Sequence, residues 1–253
     1  MISTDTIAAS LAGNRVAGTA TALPLDAVTA KVDAYTVQLA ALDDYEAEPI
    51  GYALAGTNPA CARFLGLDQP IYGPIPRRDF FSGPQHIRLP RGIVGAQCEL
   101  VFVIGRSYPD SNESIDRHSV GEAIVACRPA IGLVGRRVVG GPHDTPTAIA
   151  DFGLHVATIC GPAIRIDWQS LGQAEMTASI DGKVMMTGLG KAIAGHPLEA
   201  IAWLAHELVR DGRQISAGES VATGSCAPIL QVLPGQTLTV GFAGIGSTTC
   251  SFE

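Results

Sequence analysis

Glu99 lies in a strand-like run, Gln97 to Ile104, whose alternation puts Gln97, Glu99, Val101 and Val103 on one face and Cys98, Leu100, Phe102 and Ile104 on the other. A buried, unpaired carboxylate among such neighbours is expensive, so Glu99 needs a partner charge, a raised pKa or an opening to solvent. It is either a site carboxylate that can move a proton or a member of a structural ion pair. Gln97 shares its face and can bond to Glu99 or to a substrate oxygen, or belong to an ordinary polar core network. Arg106, just past the strand, carries a planar fork that suits a substrate carboxylate, against a plain surface reading. In the run Thr223-Gly224-Ser225 the two hydroxyls can donate to a ligand, whereas Gly224 is a backbone requirement. His155 and His86 can serve as bases near neutral pH, although most histidines do not.

These groups need elements to hold them. Val28, Val32, Tyr35, Leu39 and Leu42 recur at spacings of four and three, which predicts an amphipathic helix with that face buried. Residues 49–90 are rich in Gly and Pro and read as a connector of loops and short strands. The spacing predicts a helix from about Ser114 to Cys127, a strand over Ala130–Val139, and strand alternation over Ile164–Ile180. Asp181-Gly182 is a hairpin dipeptide. His196-Pro197 opens a helix with the stripe Leu198, Ile201, Leu204, Ala205 and Leu208, and Gly212 stops it. His196 at that start has a capping or packing duty. Strands and helices seldom alternate, so an α+β, β-rich domain is expected in place of a doubly wound parallel sheet.

With 253 residues, 47% of them hydrophobic and 16% charged, the chain has the composition of one large folded domain. A net charge of −7 and the lack of a basic run interleaved with aromatics exclude a nucleic-acid partner. No stretch of about 18 apolar residues occurs, so no membrane partner is expected. The first residues, MISTDTIAASLAGNR, lack a basic segment followed by an apolar one, and a cytoplasmic location is expected. The six cysteines show no paired spacing and read as buried thiols.

The runs Gly188-Leu189-Gly190, Gly195-His196-Pro197-Leu198-Glu199-Ala200-Ile201-Ala202-Trp203-Leu204, Ala217-Gly218-Glu219, Thr223-Gly224-Ser225 and Gly244-Ile245-Gly246-Ser247 resemble the 2-keto-4-pentenoate hydratase and 4-oxalocrotonate decarboxylase family of the fumarylacetoacetate hydrolase superfamily. Asp33-Ala34-Tyr35-Thr36-Val37-Gln38, Pro70-Ile71-Tyr72-Gly73 and Glu99 to Gly105 extend the likeness. The resemblance implies a β-rich mixed-sheet roll with a small N-terminal helical part, divided as 1–90 (helices and loops) and 91–253 (catalytic domain). It implies a homo-oligomer acting on short 2-keto or enol acids held on Mg²⁺ or Mn²⁺ by three carboxylates. Two of those three stand in an E-x-E that reads Gln97-Cys98-Glu99 here, and the third falls on Gly132. The lysine of G-x-K-x-G is Ala53, and two further polar positions are Gly135 and Phe152.

With one carboxylate left, no cofactor is expected beyond weak Mg²⁺ binding through Glu99. Lys191, after Gly188-Leu189-Gly190, can replace part of the metal's electrostatic role or be a surface lysine. Asp151 matches a family aspartate that orders site loops, and it lines the pocket on that reading. The expected catalytic set is Glu99, Gln97 and Lys191. Asp151, Thr223, Ser225 and Arg106 form the expected set that holds a small carboxylate substrate. Three readings stand: hydration, decarboxylation or C–C hydrolysis of a 2-keto or enol acid with altered or metal-free chemistry; a non-catalytic binding or assembly protein; and an Mg²⁺ enzyme recruiting ligands besides Glu99.

Overall fold

Two mixed sheets and a set of helices account for the chain in a computed structural model that describes residues 4–25, 28, 30–140 and 142–253. In order these are α1 (Thr4–Ala17), α2 (Lys31–Asp44), β1 (Pro49–Ala55), α3 (Pro59–Leu65), β2 (Ile71–Pro76), β3 (Phe80–Ser82), β4 (Gln85–Ile87), β5 (Ile93–Ile104) and α4 (Arg117–Ala123). They continue as β6 (Ile124–Gly135), α5 (Thr145–Ala150), β7 (His155–Cys160), β8 (Glu175–Ile180), β9 (Lys183–Leu189), α6 (Pro197–Arg210), β10 (Ser220–Ser225), β11 (Thr237–Phe242) and β12 (Gly246–Phe252). The larger sheet runs β2-β1-β10-β5-β6-β7-β3 and the smaller β4-β12-β11-β8-β9. This is the expected α+β, β-rich architecture.

The alternation read at Gln97–Ile104 decides how the large sheet is used. Cys98, Leu100, Phe102 and Ile104 enter the main core with the α6 stripe and with Leu238, Val240 and Phe242 of the small sheet. The opposite face forms a separate cluster, Ile75, Ala53, Ala222, Val101, Ala130 and Cys160 with Phe80 beside them, one side chain from each strand in sheet order. Strand β2, at one edge, also approaches β7 near the other. The sheet therefore curls into a roll, and small residues line its inside because a curled sheet brings facing strands close. A third cluster seats α1, α2 and α5 against Ala55, Ile71, Val134 and Phe152.

Several expectations are corrected. The boundary at residue 90 passes through both sheets: β1 pairs with β10, β3 with β7, and β4 with β12, so residues 49–87 belong to the same layered body as the rest. The helix expected over Ser114–Cys127 ends at Ala123, where the longer strand β6 begins. Of Ile164–Ile180 only the last six residues are strand, after a 3-10 stretch at Trp168–Gln173. Helix α2 buries Ala34, Val37, Gln38, Ala41 and Leu42, while Val32 and Leu39 are exposed. The alanines let α2 lie close to its neighbours, and Gln38 is buried because its amide donates to the carbonyls of Tyr72 and Ile149. The hairpin at Asp181-Gly182 and the helix opened by His196 are as expected. Both turn residues have positive φ, and the His196 ring accepts from the Leu198 amide.

Candidate active site

Glu99 and Gln97 point into the roll. Cross-strand register carries Gln97 to Gly132 and on to Thr158, and Glu99 to Ala130 and on to Cys160. On the other side Glu99 stands opposite Ser225, where a break in the β5–β10 register turns the Gly224 amide inward. That amide donates to Glu99 Oε2 at 2.9 Å. Glycine is required there, since φ is +80° and a Cβ would lie 2.3 Å from Thr57 Oγ1.

Glu99 is 1% exposed, and burial drives its pKa up to about 8, opposed only by the Gly224 N–H. Its titratable neighbours are the buried thiols of Cys61, Cys98, Cys160 and Cys226, themselves pushed up by burial and thus uncharged. Glu99 is therefore a neutral acid at pH 7, with no ion-pair partner among the described residues. Gln97, 2% exposed, donates to the Leu54 carbonyl at 3.3 Å, and its Oε1 is a buried acceptor without a partner.

Gly132 explains why the lost carboxylate is not missed sterically. A Cβ at 132 would lie 2.0 Å from Glu99 Oε1, so Glu99 itself occupies the space a side chain there would take. The divalent cation implied by the resemblance does not fit this donor set. One carboxyl favoured in its neutral form and one amide oxygen are far from an octahedral oxygen cage, and the described residues contain no group of three or more His, Cys, Asp or Glu able to hold a metal.

The neighbouring polar network fixes a further donor. Arg15 Nη2 lies 3.1 Å from His155 Nδ1, and His155 Nε2 lies 3.0 Å from Thr158 Oγ1. A guanidinium has only donors, so Nδ1 must accept and the ring proton belongs on Nε2, which donates to Thr158. The Thr158 hydroxyl proton is then left to donate elsewhere, from the strand row that holds Gln97. Burial, with the charges of Arg15 and Arg137, holds His155 well below its ordinary pKa and neutral.

The other expected site residues are placed differently. Asp151 is buried, and its carboxylate takes the Arg137 guanidinium at 2.9 Å and the Arg137 amide at 2.6 Å, so it braces a loop. Thr223 donates to the Leu100 carbonyl, and Ser225 accepts from the amides of Cys98 and Ala227, so both hydroxyls are consumed by strand backbone. Arg106 lies past the end of β5 with its fork on Glu113. Lys191 is exposed on a 3-10 turn, and no cation figures among the causes that set the Glu99 pKa. The structure thus brings together Glu99, Gln97 and the Gly224 amide and adds Thr158 and His155. The residues His155–Cys160 have the Val, Thr and Ile content of a strand, which was the available signal for Thr158. His86 is exposed on β4.

Comparison with known proteins places this geometry. Residues 73–253 match the family described as fumarylacetoacetate (FAA) hydrolase C-terminal. The chain is 30% identical to the TodF product hydratase of Pseudomonas putida F1, over 80% of this chain and 76% of that one. It is 28% identical to 2-keto-4-pentenoate hydratase of Paraburkholderia xenovorans, over 81% and 76%. Among solved structures, 4-oxalocrotonate decarboxylase from Pseudomonas putida G7, complexed with magnesium and adipate, superposes with a TM-score of 0.87 at 21% identity, covering 100% of this chain and 99% of that one. At that identity the likeness shows the fold, the β-rich roll with N-terminal helices. With the family matched over most of its length and a relative at 30% identity, the chain belongs to the fumarylacetoacetate hydrolase family.

Proposed function

We propose that this chain is a hydratase- or lyase-like enzyme of small 2-keto or enol acids whose proton chemistry is carried by Glu99 without a metal. The observation that supports it is a neutral carboxylic acid, with pKa near 8, fixed by a backbone N–H inside the roll. Tautomerising an enol acid needs one proton delivered to carbon and one removed from oxygen. Glu99 delivers the first, and its carboxylate recovers the second. The unpartnered Gln97 Oε1 can accept the substrate's hydroxyl proton, and the Thr158 hydroxyl can donate to its carboxylate or keto oxygen. Hydration, decarboxylation and C–C hydrolysis of such acids share this proton step. The relatives' names, hydratases acting on a 2-keto acid and a decarboxylase, agree with that substrate class.

A second reading, a binding or assembly protein without catalysis, is favoured by one feature: Glu99 and Gln97 are all but sealed, so any substrate must open the roll. Proton NMR of pyruvate and of 2-keto-4-pentenoate in D₂O separates the two. The parent protein should exchange or convert one of them at equal rates with a chelator and with added Mg²⁺, and Glu99→Gln should slow this by about two to four orders of magnitude. A fully active Glu99→Gln removes Glu99 from the mechanism, rates that depend on Mg²⁺ overturn the metal-free chemistry, and an inert parent supports the second reading.

A further inference from the structure

On the outside of the roll a cavity of about 800 Å³ opens where the end of α1, residues 86–91 and the end of β6 meet. Arg15, Arg88, Arg91, Arg136 and Arg137 line it, and Asp79 is the only carboxylate among the described residues that does. Arg15 is paired with Asp79 at 2.7 Å, and Arg137 with Asp151 behind the wall at 2.9 Å. Arg136 donates to the Leu65 carbonyl and feels the charges of Asp151 and Asp144 without an ion-pair contact to either among the described residues. Arg88 and Arg91 are exposed and have no side-chain partner among the described residues. Among the described residues five guanidiniums thus share three carboxylates, Asp79, Asp151 and Asp144, in a chain whose net charge is −7. The surplus is felt inside the cluster, where the Arg137 charge adds to burial in lowering the Arg15 pKa.

The walls are held rigidly. The Arg136 amide donates to the Gly92 carbonyl at 2.9 Å, the Arg91 amide donates to the Gly18 carbonyl at 2.9 Å, and a Cβ on Gly92 would lie 2.0 Å from the Arg136 carbonyl oxygen. Three segments distant in sequence therefore present their arginines from fixed backbone. A concave surface with one sign of charge concentrates the opposite ion, and guanidinium forks match carboxylate and phosphate oxygens in pairs. We infer that this arginine-lined cleft binds a small polyanion bearing two or more oxyanion groups, at a site separate from Glu99.

Calorimetric titration of the full chain with citrate and, separately, with inorganic pyrophosphate tests this. At low salt at least one should bind with a Kd of about 1 mM or tighter, and whichever is tighter identifies the anion as carboxylate or phosphate. Added NaCl should weaken it. The double variant Arg88→Ala/Arg91→Ala should weaken binding about tenfold or more, given the usual worth of charge-assisted bonds. Arg117→Ala, an exposed arginine outside the cleft, and Glu99→Gln should both bind as the parent does. Absence of binding for both anions, an unaffected double variant, or loss of binding in Glu99→Gln would each overturn the cleft as the site.

Discussion

At the scale of single residues, the two buried titratable groups beside the roll pull stability in opposite directions. Glu99 has its pKa raised from 4.5 to about 8, so the folded state keeps a proton that the unfolded state gives up above about 4.5. His155 is held well below 6.5, so the unfolded state takes a proton that the folded state refuses below that value. Just below pH 6.5 the two slopes therefore oppose each other. Above 6.5 the Glu99 difference dominates, and stability falls as pH rises, by about 1.5 kcal/mol between pH 6.5 and 8. Urea unfolding at those two pH values should show this loss in the parent and none in Glu99→Gln, which resembles the neutral acid already present. An equal loss in both proteins would mean that Glu99 ionises normally in the fold.

At the scale of elements, Gly132 on β6 shows how one strand accommodates another's side chain. Gly132→Ala places a methyl 2.0 Å from Glu99 Oε1 and forces the acid off the Gly224 amide, with an expected cost of about 1–3 kcal/mol. If the clash is with the acid, Glu99→Ala should relieve it, so the double variant should be more stable than the two single losses added together. Additive losses in a denaturant titration would show that the strain lies in the backbone of β6. That contact was not legible in sequence, because pairing between β5 and β6 sets it and no local pattern reports register. What depends on neighbours in the chain was legible. The α6 stripe and its His196 cap, the Asp181-Gly182 turn and the alternation of β5 each follow from one short continuous segment. The α2 face was misread because large apolar residues were weighted above alanines, whereas close packing selected Ala34 and Ala41 and left Val32 and Leu39 outside. At the candidate site, the alternation of β5 shows in sequence that Glu99 and Gln97 share a face. The partners of Asp151, Thr223, Ser225 and Arg106 were not legible, since the tertiary fold supplies each of them.

At the scale of the whole molecule, the N-terminal helices and the roll bury one another. Ile7, Leu11 and Val37 share a cluster with Leu65, Ile71, Val134, Phe152 and Leu154, all of them nearly inaccessible. Arg15 reaches from α1 to Asp79 and to the carbonyls of His155 and Val156, so the same helix orders the network that aims Thr158. A Gly- and Pro-rich stretch such as 49–90 reads in sequence as a seam between units, yet its short strands complete both sheets, because edge pairing needs few residues and no hydrophobic period. Deleting residues 1–47 would uncover Leu65, Ile71, Val134, Phe152 and Leu154 at about 1.5–3 kcal/mol each, comparable with the about 5–15 kcal/mol that holds an ordinary domain folded. The 48–253 fragment should therefore lack a cooperative thermal transition by near-ultraviolet circular dichroism, while the full chain unfolds in one step. A fragment that melts cooperatively near the midpoint of the full chain would show that α1 and α2 are an appendage and that the roll, with Glu99 inside it, is self-sufficient.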